Sequence, residues 1–582
     1  MPMAIVQDFA PPGALPGYIT NPRQITRSTV IYWSVFLVTL VLVVAPVLPI
    51  IYQSFIDRPL YDRGQILTLQ NYKDLFASEQ LRKVLFNSFV FASITTLIAQ
   101  TLGAFFAVLI GRTDLPCRGF FGSMLLWPLF ISHLVLAFGW FLAYGSAGFV
   151  TLFVKSFLGA DPWTLYSLTG MSIIAGISQV PLALLYCLGS SALADPSLED
   201  AARSCGAKPL RTLWSITLPL LLPSILYGGV LNFTAALEML SIPLIFGEPA
   251  GISFFTTFLF TQGLSTPKPN YGLVGTAAVL LLVIVMLLVF LQGRMLRNSR
   301  RFVTVGGKAT RPRPFKLGKL RWVAFALVGS YVLLFIIFPI GVLGLRACVN
   351  FLTPMIPFWE LLTPEHFEEV FSLEITRRAI VNTIIVSIGG AALATCFVAL
   401  ISLIVHRSDF RLRRQLEYLA LFPRALPGLI AGIGFFYAAV FLPPLGWMRN
   451  TLWILVIAYT MRYIPTGFGA LSPSLMQIGP DLDRSARVMG ADWWTSVRVV
   501  ILKLMTPALF TCFTLLFVYF FKEYSTALFL FAPGTEVIGT ALIQFWVQGE
   551  MGRVAALSFV QIIFTVVFIA AMRRAFGVKI YG

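Results

Sequence analysis

Charge is scarce in this 582-residue chain. Asp, Glu, Lys and Arg together make up 12% of it, about half the roughly 25% of an ordinary soluble domain. That shortage excludes a soluble globular fold. Histidine occurs three times and cysteine six. Cys117, Cys187, Cys205, Cys348, Cys396 and Cys512 form no Cys-x-x-Cys, and no two histidines pair on one helix, so neither a disulfide framework nor a metal site is expected. The phosphate-binding pattern Gly-x4-Gly-Lys-Ser/Thr is missing. Gly306-Gly307-Lys308-Ala309 lacks both its first glycine and its hydroxyl residue, so the chain holds no ATPase site of its own. No nucleophile elbow or other catalytic constellation occurs, which argues against an enzyme. Through Arg27 no basic region feeds a short apolar core, so no cleavable signal is expected, and the first apolar segment serves as an uncleaved insertion signal.

What the chain has is apolar length. It is 58% hydrophobic, with a mean hydropathy of +0.84. Stretches of about 18 or more apolar residues read as membrane-spanning helices. About twelve appear, near residues 30–53, 88–111, 119–144, 168–193, 220–247, 271–293, 322–345, 379–405, 415–442, 451–471, 504–533 and 555–572. The net charge of +18 does not mark a nucleic-acid binder. With the N-terminus inside, the cytoplasmic segments hold 28 Lys/Arg and 9 Asp/Glu, against 12 and 13 in the outer loops. The basic excess is the positive-inside pattern, with both termini in the cytoplasm.

The chain is an internal duplication. Leu67-Thr68, Tyr72 and Phe76 recur at an offset of 295 as Leu362-Thr363, Phe367 and Phe371. At that offset Asn87-Ser88 meets Asn382-Thr383, Arg112-x-Asp114 meets Arg407-x-Asp409, Trp127-Pro128 meets Phe422-Pro423, and Gly139 meets Gly434. Further on the offset is 284, and Pro181, Gly206 and Pro223 meet Pro465, Gly490 and Pro507. The residues between the two registers are lost in the loop after the third span, where a shared fold tolerates a deletion. Six spans per half is an even number, so the halves are parallel repeats about an axis along the membrane normal. The expected organisation is a tail (1–29), a first transmembrane domain (30–293), a basic, flexible cytoplasmic linker (294–321) and a second transmembrane domain (322–582).

One short motif recurs between spans. The clear copy is Asp200-Ala201-Ala202, Gly206 and Ile216-Thr217-Leu218-Pro219; the worn copy is Arg484-Ser485-Ala486, Gly490 and Val500-Ile501-Leu502-Lys503. Asp195-Pro196-Ser197 can start a short surface helix, with Glu199 and Asp200 in its first turn and Gly206 as its stop. Gly479-Pro480-Asp481 starts the second, with Asp483 in the first turn and Gly490 at the end. Each copy resembles the "EAA loop" of ABC-importer permeases, and the resemblance covers nearly the whole chain. It is similar to the fused, two-half type I permeases of the ferric-iron, thiamine, polyamine and phosphonate group. Lys522-Glu523-Tyr524-Ser525-Thr526-Ala527 and Pro533-Gly534-Thr535-Glu536 look most like the ferric-iron members.

The resemblance implies an all-α polytopic permease of the inner membrane. Two separate ATPase subunits, which use ATP and Mg, would dock on the two loops, and a substrate-binding protein would deliver cargo outside. The chain itself would bind no cofactor and no nucleic acid. Glu199, Asp200, Ala201, Ala202, Gly206, Leu218 and Pro219, with Asp483, Ser485, Ala486 and Gly490, are the expected ATPase-coupling residues. Arg484 and Lys503 depart from the pattern, so the two contacts are expected to be unequal. Ferric iron is the favoured substrate, with polyamine, thiamine or phosphonate as alternatives. The rival class, an ion-coupled secondary transporter, would have no use for paired loops.

Charges inside spans are costly and point to function or to pairing. Glu238 and Glu523 stand at near-equivalent places, offset 285, in the fifth and eleventh spans. The resemblance puts those spans along the translocation pathway, so the two glutamates are expected to frame a gate or to be held in ion pairs. Arg424 and Arg462 lie deeper, and the first half has Leu129 and Ser178 in their places; they too are expected either along the pathway or in pairs that only hold helices together. His133 reads as a packed residue. Glu365-His366-x-Glu368-Glu369 reads as an amphipathic helix rather than a ligand cluster, because His366 aligns with Asn71 in a segment that has none.

Overall fold

The computed structural model describes residues 22–193, 197–266, 269–299, 315–350 and 356–576. Those residues form helices, with only isolated backbone bridges between extended segments. In the first half come α1 (Pro22–Val44), α2 (Val47–Ser54), α3 (Gln70–Ala77), α4 (Glu79–Arg112), α5 (Arg118–Leu126), α6 (His133–Tyr144), α7 (Phe149–Leu158), α8 (Leu168–Leu193), α9 (Ser197–Ser204), α10 (Pro209–Thr212), α11 (Leu218–Glu238), α12 (Phe255–Phe260) and α13 (Tyr271–Ser299). The second half repeats the order. It has α14 (Leu320–Val332), α15 (Phe338–Ala347), α16 (Glu365–Ser372), α17 (Glu374–Ile385), α18 (Ala391–Arg407), α19 (Arg413–Leu421), α20 (Gly428–Phe441), α21 (Leu452–Gln477), α22 (Pro480–Val488), α23 (Trp493–Ser496), α24 (Leu502–Leu504), α25 (Thr506–Phe521), α26 (Ile538–Gln548) and α27 (Met551–Phe576).

Among the described residues, ten helices are long and apolar enough to cross a membrane, and up to twelve spans result if two bent pairs each count as one. The expected segments 119–144 and 415–442 are not continuous helices. The first breaks after Leu126 in a tight turn, Trp127–Phe130, that carries Pro128, and Ser132 then caps α6 by accepting from the Leu134 N–H at 3.3 Å. The second bends by 110° between α19 and α20 around Phe422–Ala425, which carries Pro423. Proline lacks the N–H that continues a helix, and its ring clashes with the preceding turn. The expected segment 504–533 bends by 75° at Met505 and ends as a helix at Phe521, while 220–247 ends at Glu238. An apolar run reports hydrophobicity, not straightness.

The duplication is exact enough to reproduce individual hydrogen bonds. Ser88 Oγ accepts from the Phe255 N–H at 2.8 Å, and Thr383 Oγ1 accepts from the Ile538 N–H at 2.9 Å. Asn87 Nδ2 donates to the Ser253 carbonyl at 3.2 Å, and Asn382 Nδ2 to those of Gly534 and Glu536 at 3.0 and 2.9 Å. These pairs fix the start of α12 and α26, buried segments whose backbone groups must find partners inside the protein.

The first span of each half packs on its own half and also reaches across to the other. A Cβ on Gly139 of α6 would lie 2.9 Å from the Pro339 carbonyl oxygen of α15, and one on Gly434 of α20 would collide with the Pro46 carbonyl before α2. Tyr144 Oη donates to the Leu334 carbonyl at 2.6 Å, another bond between halves. Tyr32 of α1 packs on Trp493 with ring centroids 4.9 Å apart. Small residues that admit close backbone approach are how helices associate in lipid, where no hydrophobic force acts between them.

We call the side of the bundle carrying α9 and α22 the loop face. On the far face, α3 and α16 lie against the last span of their own half. Asn71 Nδ2 donates to the carbonyls of Ser54 and Ile56, at 3.2 and 2.7 Å. His366, its repeat counterpart, contacts Arg346 through Nε2 at 2.9 Å, and Glu369 pairs with Arg553 at 2.9 Å. The Glu365–Glu369 segment is therefore a packed amphipathic helix.

Candidate functional site

Two places concentrate polar chemistry: the paired loops and the seam between the halves. In the first loop, residues 194–196 lie outside the described residues, so the expected starters Asp195 and Pro196 are not placed. Helix α9 is amphipathic. Leu198, Ala201 and Cys205 face outward at helical spacing, whereas Glu199 is 3% exposed. Glu199, expected among the ATPase-facing residues, therefore turns inward. Its carboxylate meets Arg112 Nη1 at 3.5 Å and accepts from Thr217 Oγ1 at 2.9 Å. Arg112, the last residue of α4, also donates through Nε to Ser191 Oγ at 2.9 Å and through Nη2 to the Ser191 carbonyl at 2.6 Å. One buried guanidinium thus ties the loop helix to the ends of α4 and α8. The linker joins the same hub: Phe315 N–H donates to the Arg112 carbonyl at 2.7 Å, and Leu317 N–H to Asp114 Oδ1 at 2.8 Å. The linker was expected to be flexible; its residues 315–317 are paired, and residues 300–314 lie outside the described residues.

Arg407, the repeat counterpart of Arg112, does the same work with different partners. Its Nη2 donates to the carbonyls of Leu475, at 2.6 Å, and Ile478 at the end of α21. Trp493 Nε1 donates to the Arg407 carbonyl at 2.9 Å. The sequence pairs Arg112 with Arg407, but nothing in it reveals that both are loop anchors.

Both loop helices stop identically. Gly206 and Gly490 have φ of +81° and +88°, the left-handed region that glycine occupies without steric cost. Beyond them the N–H of Ala207 reaches the Ala202 carbonyl at 3.0 Å, and that of Ala491 reaches Ala486 at 3.1 Å. This is the six-to-one closure of a Schellman cap. Wide helical turns follow at Leu213–Thr217 and Val497–Ile501, in the same repeat register. Ala201, Pro219 and Ser485 are exposed; Ala202, Leu218 and Ala486 are half-buried. The side chains of Asp200, Asp483 and Arg484 lie outside the described residues. Hydropathy reading passed over the apolar groups the loops expose: Leu198 and its counterpart Leu482, Trp214 at 66%, and Met489 at 88%.

At the seam the two glutamates, matched in sequence, differ in surroundings. Glu523 lies two residues beyond the end of α25 and is saturated. It pairs with Arg462 at 2.6 Å, accepts from Tyr463 Oη, and accepts from Ser525 Oγ and the Thr526 N–H at 2.9 Å each. Arg462 also donates to Ser525 and Thr526 hydroxyls at 2.8 Å. Of the two readings open for Glu523, the ion pair is the one observed. Glu238, the last residue of α11, is half-buried and makes no hydrogen bond or ion pair among the described residues, though Arg462, Glu523 and Arg424 act on it electrostatically. Arg424 sits in the break between α19 and α20, with Tyr227 Oη of the first half 3.4 Å away. Lys522 enters the sequence reading only as part of a family-like stretch, with no role of its own. Its Nζ donates to the Leu129 carbonyl at 2.6 Å, and its own carbonyl accepts from Ser132 Oγ at 3.3 Å, which stitches the second half to the break in the first.

Comparison with known proteins gives the following. Residues 85–301 and 398–576 match the family described as "Binding-protein-dependent transport system inner membrane component", once in each half. The chain is 24% identical over 541 residues to the ferric transport system permease protein FbpB of Actinobacillus pleuropneumoniae, covering 91% of this chain and 75% of that protein. It is 25% identical over 483 residues to the putative ferric transport system permease protein FbpB 1 of Haemophilus influenzae, covering 80% and 74%. It is 22% identical over 568 residues to the probable ABC transporter permease protein y4fN of Sinorhizobium fredii, covering 94% and 96%.

Proposed function

The chain belongs to the binding-protein-dependent transport system inner membrane component family, and from that premise we propose how this permease is driven and what it carries. It is a multi-pass permease subunit of an ABC importer. Its two halves, residues 30–293 and 322–582, enclose the pathway at their seam. The loop face is cytoplasmic, and one ATPase subunit docks on each loop helix, so two copies serve one chain. A binding protein delivers cargo at the far face.

The observation that carries this reading is the pair of loop helices, α9 and α22, with left-handed glycines at the same repeat position. Arg112 fastens α9 through Glu199 and Ser191, and Arg407 holds the end of α21, from which α22 starts, through the carbonyls of Leu475 and Ile478. A push on α9 is therefore delivered to α4 and α8 as a unit rather than absorbed in a floppy connection. ATP-driven closure of the two ATPases would move the loops, and the loops would tilt the halves about their seam. Ferric iron is the cargo best supported, because two of the relatives that span most of this chain are named as ferric transport permeases.

The test is reconstitution with and without the ATPase. Native mass spectrometry should give two ATPase copies per chain, and uptake of iron-55 into proteoliposomes should require ATP and the binding protein. Gly206→Glu and Gly490→Glu should each weaken ATPase co-purification. Uptake by the chain alone, driven by a proton or sodium gradient, would overturn the reading.

A further inference from the structure

Five charged side chains meet at the seam: Arg424, Arg462 and Lys522 against Glu238 and Glu523. Arg462 and Glu523 neutralise each other at 2.6 Å, and Lys522 is committed to the Leu129 carbonyl at 2.6 Å and the face of the Tyr519 ring at 4.7 Å. Arg424 is different. Among the described residues it has no carboxylate at ion-pair distance. Its guanidinium faces two phenols of the first half, Tyr227 Oη at 3.4 Å and the Tyr186 hydroxyl, with its carbon 6.0 Å from the centre of the Tyr227 ring. Those rings lie edge to face, 5.2 Å apart, on α11 and α8. Arg424, Tyr186 and Tyr227 are all half-buried, neither sealed in the core nor free in solvent.

A guanidinium inside a span is expensive to keep without a counter-charge. The fold does not demand one here, since the repeat puts Leu129 at this position in the first half. Glu238 is the only carboxylate at the seam without a partner among the described residues. It lies eleven residues beyond Tyr227 on the same helix, and Arg424 acts on it only through space, with no hydrogen bond or ion pair between them among the described residues. What remains in front of Arg424 is a set of donors: a planar fork and two phenolic hydroxyls. That set matches the oxygens of an anion.

We infer that Arg424, Tyr186 and Tyr227 form an anion-binding station in the pathway, so cargo crosses the seam as an anion or an anionic complex. The inference rests on the reading that the seam is the pathway. It narrows the cargo class: iron would travel with an anionic ligand rather than as a bare cation, and polyamines and thiamine would be disfavoured by charge.

The test needs no knowledge of the cargo. In the assembled complex, Tyr227→Cys places a thiol beside Arg424. It is reacted with anionic sulfonatoethyl and cationic trimethylammonioethyl methanethiosulfonates, and labelling at residue 227 is read by peptide mass spectrometry. Rates are normalised to those on a free thiol. The anionic reagent should be favoured by about tenfold or more, as expected for a unit charge at this range in a medium less polar than water. Adding Arg424→Gln should abolish the preference, and Arg424→Lys should keep most of it. Tyr186→Cys repeats the measurement should the first variant fail to assemble. If both reagents react without preference, or Arg424→Gln leaves the preference intact, the anion station is wrong and the pathway stands. If neither reagent reaches either thiol in any nucleotide state, the pathway reading falls, and the inference with it.

Discussion

Gly434 lies directly under the carbonyl of Pro46, a residue of the opposite half, and its repeat counterpart Gly139 lies under the carbonyl of Pro339, 2.9 Å from where a Cβ would be. The obstructing atoms are backbone, so they cannot rotate aside. Gly434→Ala should therefore destabilise the folded chain by about 1–3 kcal/mol, the usual cost of overpacking. Gly139→Ala, with slightly more room, should cost less. Thermal unfolding of the purified protein checks both, and equal, negligible shifts would show that the halves are not locked together here.

The seam glutamates should part company. Glu523→Ala strips Arg462 of its counter-charge, and breaking a buried pair typically costs about 3–5 kcal/mol. Little folded protein should survive extraction. Glu523→Leu with Arg462→Leu should recover much of it, because no charge is then left stranded. Glu238→Gln removes no bond or ion pair present among the described residues, so it should leave expression near normal and act, if anywhere, on uptake. Loss of Glu238→Gln from the membrane alongside Glu523→Ala would contradict the division.

Within the first loop, Arg112 is 2% exposed and Glu199 3%. Glu199→Ala should loosen α9 and speed hydrogen exchange across residues 197–207. Glu199→Gln keeps an acceptor for Thr217 and should be milder. Parental exchange in the alanine variant would mean that the helix is held by other contacts. The exposed Met489→Ser, by contrast, should leave exchange unchanged and weaken ATPase co-purification alone.

On the far face, the hydrogen bond and charge of Arg553 hold the Glu369 carboxyl below its ordinary value of 4.5. A depressed folded-state value has a definite sign. The contact contributes fully above the ordinary value and is lost as the pH falls through the lower one. Exchange in residues 365–372 should rise across that acidic window. Glu369→Gln should show the faster exchange at every pH and lose the acid-dependent step. A step that persists unchanged in the variant belongs to another group.

Much of this architecture is readable from residue order, because its signals are local. Gly206 and Gly490 announce helix stops through their own conformational freedom, and Asn87-Ser88 with Asn382-Thr383 mark a duplicated clamp. What stays hidden depends on distant partners. The ring of donors around Glu523 comes partly from Arg462 and Tyr463, about sixty positions away. The inward turn of Glu199 depends on Arg112, 87 positions earlier. Pro128 and Pro423 carry a signal for the broken spans, being prolines at equivalent positions inside apolar runs, but hydropathy scores the polarity of a run and not the helix-breaking chemistry of its prolines. Nothing in the order of residues shows that a first span crosses to the opposite half.

That crossing has a consequence for how the protein is made. The chain around Pro46 enters the bilayer early, yet the glycine it rests against, Gly434, is synthesised roughly 390 residues later. At about 5–20 residues per second, the first span spends on the order of 20–80 s in the membrane before its partner in the other half exists. During that interval α2 has only its own half to rest on, where Gly275 and Thr276 of α13 meet Gln53 and Ser54. The face of α2 that meets α20 stays open to lipid until the second half arrives. A chain terminated before residue 434 would therefore keep that seam face exposed.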